Sequence, residues 1–190
     1  MTTVTSPMRE RLLEAATELF YARGLRAVSV DKVIEQAGTT KVTFYRHFKS
    51  KDDLIVAYLG VRAKLERDGV DAAIAHGNGD VDATLRLIAD AVGGLACTPG
   101  FRGCPFINAA AEYPDPDSAV RQTVDAHRAW YRDAFERLLA PLDLESPRAA
   151  GDDLMLIRDG AMVAGYLDEP ATIAASFLRS SRAVIGLSAS

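Results

Sequence analysis

Apolar residues recur along nearly the whole chain at the three- and four-residue spacing that marks one face of a helix. In the first such segment, MRERLLEAATELFYARG, the positions Leu12, Ala16, Leu19 and Phe20 follow this spacing. No stretch of useful length alternates apolar and polar residues as a half-buried strand does. The sequence therefore predicts an all-α protein.

Capping signals predict two short helices followed by a long one after this first segment. Ser29 is a favourable N-cap for a short helix over 30–37, and a second short helix is expected over 40–47. A long helix over 51–76 is expected to begin after Ser50, because an acid three residues later completes a capping box.

Positive charge is concentrated near the N-terminus, although the formal net charge of the chain is −4. Residues 1–50 hold eight Lys and Arg against five Asp and Glu, whereas residues 51–190 hold fourteen against twenty-one. The stretch TTKVTFYRHFKSK, at positions 39–51, contains four cationic side chains, three aromatic rings and no acid. This asymmetry is expected when one end of a protein meets a polyanion.

The two short helices have the length and the tight connection of a helix-turn-helix. On the second, Phe44 and Phe48 are four residues apart and are expected to pack against the preceding helices. The opposite face is suited to a DNA major groove. It is expected to present Lys41, Val42, Tyr45, Arg46 and His47.

Hydroxyl and ammonium groups around this helix are suited to phosphate contacts. Ser29 and Thr40 combine a hydroxyl with the backbone N–H groups of a helix start, and Lys51 adds an ammonium group. The hydroxyl of Tyr45 is a further donor. Exposed basic helix pairs also occur in proteins that never meet DNA, so charge and spacing alone leave that alternative open.

The segments AATELFYARG, VSVDKVIEQAG and TFYRHFKSKDDLI closely resemble the N-terminal DNA-binding domain of the TetR family of transcriptional regulators. The resemblance covers about a quarter of the chain. It implies a homodimeric, ligand-responsive repressor of about nine helices that binds a pseudo-palindromic operator in double-stranded DNA. The helix-turn-helix domain would occupy residues 1–50, and residues 51–190 would bind a small-molecule effector and form the dimer.

Carried over by position, the resemblance assigns two sets of DNA contacts. The side chains that would face bases are those of Lys41, Val42, Arg46 and His47. The side chains that would face phosphates are those of Ser29, Thr40, Thr43, Tyr45 and Lys51. A dimer also follows from the size of the recognition helix, because one short helix buries too little DNA surface alone.

The region after residue 51 does not identify a ligand. Candidate walls of an effector pocket are large apolar residues and polar residues within apolar runs, namely Phe106, Asn108, Glu112, His127, Trp130, Tyr131, Met162 and Tyr166. Large apolar residues at helical spacing more often fill a core, and a buried polar residue usually binds a neighbour. The sequence therefore leaves two interpretations of these residues, the wall of an effector pocket and the core of the protein.

The last two helical segments have the composition of a dimer surface. Small residues would let helices approach closely, and larger ones would supply apolar area. The residues assigned to this surface are Leu154, Ile157, Ala161, Ala164, Ala174, Phe177 and Leu178. In the TetR family the corresponding helices pair across a two-fold axis. An intramolecular core is the alternative, and the two can coexist.

Other classes of protein are less well supported. Cys97 and Cys104 are too few for a secreted disulfide scaffold and fit a reducing cytoplasm, where they would be either a redox switch or two buried apolar side chains. Three scattered histidines lack metal-ligand spacing, no cofactor is expected, and no apolar run approaches the roughly 20 residues of a membrane span. The alternatives to a regulator are an adaptor dimer and an all-α enzyme using Glu112 and His127 as acid and base.

Overall fold

The computed structural model describes residues 6–187, within which the chain forms nine α-helices and no strand. The prediction of an all-α protein is confirmed. The helices are α1 (Pro7–Arg23), α2 (Val30–Gln36), α3 (Lys41–His47), α4 (Lys51–Gly77), α5 (Val81–Ala96), α6 (Pro105–Glu112), α7 (Ala119–Leu139), α8 (Pro147–Leu167) and α9 (Ile173–Val184). None of these described helices is both long and apolar enough to cross a membrane.

The described chain is divided into two compact units. The first unit contains residues 6–63 and 105–124, and the second contains residues 64–104 and 125–187. Helices α4 and α7 each begin in the first unit and continue into the second. The functional division into residues 1–50 and 51–190 stays a prediction, and its outer ends, 1–5 and 188–190, lie outside the described residues.

Local capping places the short helices of the first unit. The Ser29 hydroxyl accepts a hydrogen bond from the Lys32 amide at 3.3 Å, and the Ser50 hydroxyl accepts one from the Asp53 amide at 3.0 Å. Both hydroxyls satisfy amides that a helix start leaves without an intrahelical partner. The caps predicted at these two serines are therefore confirmed, and the observed ends of α2, α3 and α4 differ from the predicted ones by at most one residue.

The first unit encloses an apolar core that fixes α3 against its neighbours. Each of the helices α1 to α4 contributes side chains that are almost completely buried in this core. The rings of Phe20 and Tyr58 meet there edge to face, with centroids 5.8 Å apart. The core side chains are Leu12, Ala16, Phe20, Val33, Phe44, Phe48, Leu54 and Tyr58. Because α3 and the residue after it contribute two of these rings, the remaining side chains of α3 are held in one orientation.

The second unit is built around α5, with α8 and α9 packed on it. Glycines allow this close approach, since a Cβ added at Gly165 would lie 2.8 Å from the Cβ of Ala96. The guanidinium of Arg182 donates two hydrogen bonds to the carboxylate of Asp82, at 2.6 and 2.8 Å, and so ties α9 to the start of α5.

Replacing Gly93 by alanine is expected to destabilise the protein, because the new Cβ would lie 2.7 Å from the Cβ of Ala174. Its neighbour Gly94 is the matched control, since a Cβ at that position would have no atom within 4 Å. Both variants gain the same helix propensity, so the Gly93→Ala protein should unfold with a free energy about 1–3 kcal/mol below that of Gly94→Ala. Urea unfolding at one protein concentration measures the difference, and equal values would contradict this packing.

Candidate nucleic-acid interface

Helix α3 separates its side chains into a buried face and an exposed face. Phe44 and Phe48 are buried, and their ring centroids lie 6.0 Å apart. On the other face Val42 is 81% exposed and Tyr45 is 47% exposed. An apolar and an aromatic side chain held open to solvent on a basic helix are available to a binding partner.

The two cationic side chains of this exposed face are accessible. Arg46 is exposed, and the ammonium of Lys41 lies 3.4 Å from the carboxylate of Asp31 with both side chains mostly in solvent. Surface ion pairs of this kind contribute little free energy. Lys41 can therefore exchange Asp31 for a phosphate or a base edge at little cost.

The serine and threonine hydroxyls assigned to phosphate contacts lie at the starts of α2 and α3. The Thr40 hydroxyl oxygen accepts a hydrogen bond from the Thr43 amide at 3.3 Å and lies 3.1 Å from the Thr43 hydroxyl. As in Ser29, the Thr40 oxygen accepts the capping bond. One of the Thr40 and Thr43 hydroxyls donates to the other, which leaves one hydroxyl hydrogen of this pair, and that of Ser29, to donate outward. The side chains of Ser29 and Thr40 are exposed and that of Thr43 is half-buried.

Two other residues assigned to DNA contacts, Lys51 and His47, are less exposed to solvent. The ammonium of Lys51 donates a hydrogen bond to the carbonyl oxygen of Arg26 at 3.3 Å. Burial lowers the pKa of Lys51, and the nearby charges of Asp52 and Glu112 offset that effect only in part. His47 is half-buried, and its Nε2 lies in the interior without a hydrogen-bond partner. The roles of both residues in DNA contact stay predictions.

The residues expected to line an effector pocket fall in both units. Phe106, Asn108 and Glu112 belong to α6 in the first unit, where Phe106 is buried and Asn108 is exposed. In the second unit Met162 is buried, whereas Tyr166 is half exposed to solvent. A contact of any of these residues with an effector stays a prediction.

The structure brings His127 and Tyr131 together on a carboxylate that the sequence did not single out. Glu66 receives a hydrogen bond from the Tyr131 hydroxyl at 3.0 Å and lies 3.2 Å from Nε2 of His127. The indole of Trp130 stacks on the His127 ring with centroids 6.3 Å apart. Burial raises the pKa of Tyr131, so its hydroxyl remains a proton donor at neutral pH.

The same carboxylate binds a buried arginine, and together these groups form what we call the Glu66 cluster: Glu66, Cys104, His127, Tyr131 and Arg158. Arg158 donates to Glu66 at 2.6 Å through Nη2 and to the thiol sulfur of Cys104 at 3.2 Å through Nη1. Its guanidinium also lies over the Tyr131 ring, 4.6 Å from the centroid. A lone arginine within the apolar run LMLIRDGAMV is the sequence signal that could have indicated this cluster.

The surface formed by α8 and α9 contains residues of two kinds. Leu154 is buried within the second unit, whereas Ile157, Ala161 and Ala164 line a groove of about 270 Å³, in which the largely buried Phe177 also takes part. Gly160, Ile173, Ser176, Phe177 and Ser180 complete the lining. The remaining residues assigned to this surface, Ala174 and Leu178, are half-buried.

Beside the groove, α8 exposes large apolar side chains that the sequence did not single out. Leu156 is 67% exposed and Leu167 is 69% exposed, with Val163 between them. These three positions are spaced seven and four residues apart, so they share one face of α8, and that spacing could have indicated them. We call this face, together with the groove, the α8–α9 surface.

Metal binding has no candidate site in the part of the chain that the structure describes. No group of three His, Cys, Asp or Glu side chains there could hold a metal ion, the Glu66 cluster included. Cys97 is exposed and Cys104 is buried, and both are free thiols. A redox switch between them stays a prediction.

Known proteins resemble this chain both in the helix-turn-helix region and over nearly its whole length. Residues 12–58 match the family of bacterial regulatory proteins described as the tetR family. A TetR-family transcriptional regulator from Streptomyces coelicolor, known from its crystal structure, is 42% identical; the match covers 94% of each chain, with a TM-score of 0.86.

Two curated relatives match part of the chain. The HTH-type transcriptional regulator YvdT of Bacillus subtilis (strain 168) is 33% identical over 86 residues, which are 45% of this chain and 44% of that protein. The HTH-type transcriptional activator FasR of Mycolicibacterium smegmatis is 43% identical over 51 residues, which are 27% of this chain and 23% of FasR. The chain therefore spans less than half the length of each of these two relatives.

Proposed function

This chain belongs to the TetR family of transcriptional regulators, which are not enzymes, and from that premise we propose that it binds an operator in double-stranded DNA as a homodimer. The observation that carries the proposal is the exposed face of α3. Its buried rings hold Val42 and Tyr45 open to solvent between the accessible cations of Lys41 and Arg46. A helix that enters the major groove needs this division of faces.

The proposed contacts are of two kinds. Lys41, Val42, Arg46 and His47 read base edges, with the cations suited to guanine and the valine to a thymine methyl group. Ser29, Thr40, Thr43, Tyr45 and Lys51 hold phosphates, which positions α3 without reading sequence. Loss of a base contact should therefore change the preferred sequence, whereas loss of a phosphate contact should weaken binding to all sequences alike.

The dimer that we propose forms through the α8–α9 surface. Its exposed leucines and valine would be buried against a second copy, and the small side chains of Gly160, Ala161 and Ala164 permit close approach of the helices. A two-fold axis there would give a pseudo-palindromic operator, with half-sites about 34–36 Å apart when they are adjacent.

A small-molecule effector would regulate this binding. Such a ligand releases DNA only if it binds the DNA-incompetent arrangement more tightly, and the shift cannot exceed that difference in affinity. Helix α4 is continuous from the helix-turn-helix into the second unit. Displacement of its second half would therefore be transmitted to the DNA-binding end.

We propose repression as the outcome of operator binding. The activator FasR resembles the chain over 51 residues, so a likeness to HTH-type regulators is compatible with either sign of regulation. A reporter gene placed behind the selected operator distinguishes the two. Lower expression with the intact protein than with an Arg46→Ala variant supports repression, and higher expression shows activation.

Arg46→Ala is expected to weaken operator binding by about 1–3 kcal/mol, because it removes an exposed cation from the face of α3. The operator is first enriched from a random-sequence pool, and affinity is measured by fluorescence anisotropy at several salt concentrations. Arg137→Ala removes the same charge from the last turn of α7 and is the matched control. Failure of the wild type to enrich any duplex would contradict the proposed function.

A further inference from the structure

The turn that links α1 to α2 is held by a side chain from α6. Helix α1 ends at Arg23, and Gly24 caps it. Oε1 of Glu112 accepts a hydrogen bond from the amide of Leu25 at 2.9 Å, and Oε2 accepts one from the amide of Arg26 at 2.6 Å. One carboxylate thus binds two consecutive amides of the turn, 86 and 87 residues away in the sequence.

Gly24 makes room for this carboxylate. Its φ angle is +90°, a conformation that favours glycine, and a Cβ at this position would lie 3.2 Å from Oε1 of Glu112. The turn therefore has no side chain at the position where one would crowd the carboxylate. The residue types at both ends of the contact are those that the contact requires.

The end of α6 also binds the turn and the start of α4 through other groups. Nε of Arg26 donates a hydrogen bond to the carbonyl oxygen of Glu112 at 2.7 Å, and its guanidinium lies over the ring of Tyr113, 5.5 Å from the centroid. The Tyr113 hydroxyl donates to Asp52 in the first turn of α4 at 3.0 Å. Burial and this hydrogen bond raise the pKa of Tyr113 to about 12, so the donor keeps its proton at neutral pH.

We propose that Glu112 and Tyr113 are positioning residues for DNA binding. They fasten the α1–α2 turn and the first turn of α4, the two segments that flank α2 and α3 in the sequence, and release of this fastening lowers operator affinity. The inference rests on the proposed function and gives Glu112 a role other than contact with an effector. Neither residue need touch DNA, because each acts through the segments on which α3 depends.

The chain that enters α6 is held as well. Cys104 directly precedes α6, and its thiol accepts the hydrogen bond from Arg158 in the Glu66 cluster. Helix α6 is only eight residues long, so one short helical segment connects Cys104 to the fastening at Glu112. A change that moves α6 along or about its axis would pull the Glu112 carboxylate from the amides of Leu25 and Arg26.

The test combines hydrogen exchange with operator affinity in the full-length protein. In Glu112→Ala the amides of Leu25 and Arg26 lose their acceptors and should exchange faster, and operator affinity should fall on the order of tenfold. Glu112→Gln keeps one acceptor oxygen and should restore part of that loss. Tyr113→Phe keeps the ring beneath Arg26 but loses the bond to Asp52, and a smaller loss of affinity is expected.

Glu145→Ala and Glu145→Gln make the same changes at an exposed position between α7 and α8, and both should bind the operator as the wild type does. Affinity for non-specific DNA should be nearly unchanged in the Glu112 variants, which separates mispositioning from unfolding. Faster exchange in Glu112→Ala with unchanged operator affinity would overturn the inference alone. Absence of specific binding by the wild type would overturn the proposed function and the inference with it.

Discussion

Gly160→Glu is expected to produce a folded protein that is monomeric and holds its operator about 10²- to 10⁴-fold more weakly. Gly160 lines the groove of the α8–α9 surface, and no atom lies within 4 Å of the position a Cβ would take, so a side chain fits within the protomer. In a dimer formed through this surface, the two new carboxylates would be removed from water beside the apolar side chains that α8 exposes. Burial of a charge in such surroundings opposes association strongly.

The magnitude follows from how a dimer reads two half-sites. Binding of the second recognition helix is intramolecular once the first is bound, and a monomer loses that advantage entirely. Sedimentation measures the oligomeric state and anisotropy measures the affinity. Gly94→Glu introduces the same residue at an exposed position of α5 with equally free space and should remain dimeric. A dimeric Gly160→Glu protein with full operator affinity would place the interface elsewhere.

Glu66→Ala is expected to lower the free energy of unfolding by about 3–5 kcal/mol. The variant removes the carboxylate that accepts from Tyr131 and Arg158 and leaves the arginine, only 3% exposed, with Asp159 as its acidic partner at 3.3 Å, a carboxylate that Arg128 also binds. Replacing Glu66 and Arg158 together by methionine should cost less than Glu66→Ala alone, because no buried charge is then left unpaired. Urea unfolding measures this free energy for the wild type, for Glu66→Ala and for the double methionine variant.

Asp68→Ala removes a carboxylate two residues further along α4 and is the control. Asp68 pairs with Lys64 on the surface, where such pairs contribute little, so its unfolding free energy should stay close to that of the wild type. If Glu66→Ala proved as stable as this control, the cluster would contribute nothing to the fold.

The contribution of Glu66 to the free energy of unfolding should also decrease at low pH. Burial by itself raises the pKa of this carboxyl, but hydrogen bonds from His127 and Tyr131 and the charge of Arg158 outweigh it, and the pKa lies below the ordinary 4.5. A carboxyl with a lowered folded-state pKa stabilises fully above its unfolded-state pKa and loses that contribution as pH falls through the folded-state value. The difference in the free energy of unfolding between the wild type and Glu66→Gln should therefore become smaller only below about pH 4.5.

The amino-acid sequence by itself determined the helices and the division of α3. Caps at Ser29 and Ser50 and the four-residue spacing of Phe44 and Phe48 involve residues that are close along the chain. Whether such residues form a helix, and which of its sides is apolar, depends mainly on neighbours within one or two turns. The ends of α2, α3 and α4, the buried rings and most of the exposed face of α3 therefore followed from the sequence, whereas His47, which was expected on that face, is half-buried.

Only the tertiary structure decided which distant groups meet. Glu66 and Arg158 are 92 residues apart, and Glu112 binds an amide 87 residues earlier in the chain. On α8, Leu154 and Leu156 are equally apolar in sequence, yet the first is buried and the second is exposed. From its type alone, a polar residue on a helix is expected to need a hydrogen-bond partner, and an apolar residue is expected to need a surface that covers it. The packing of the helices in each unit decides which partner or surface that is, and the spacing of residues along one helix does not predict this packing.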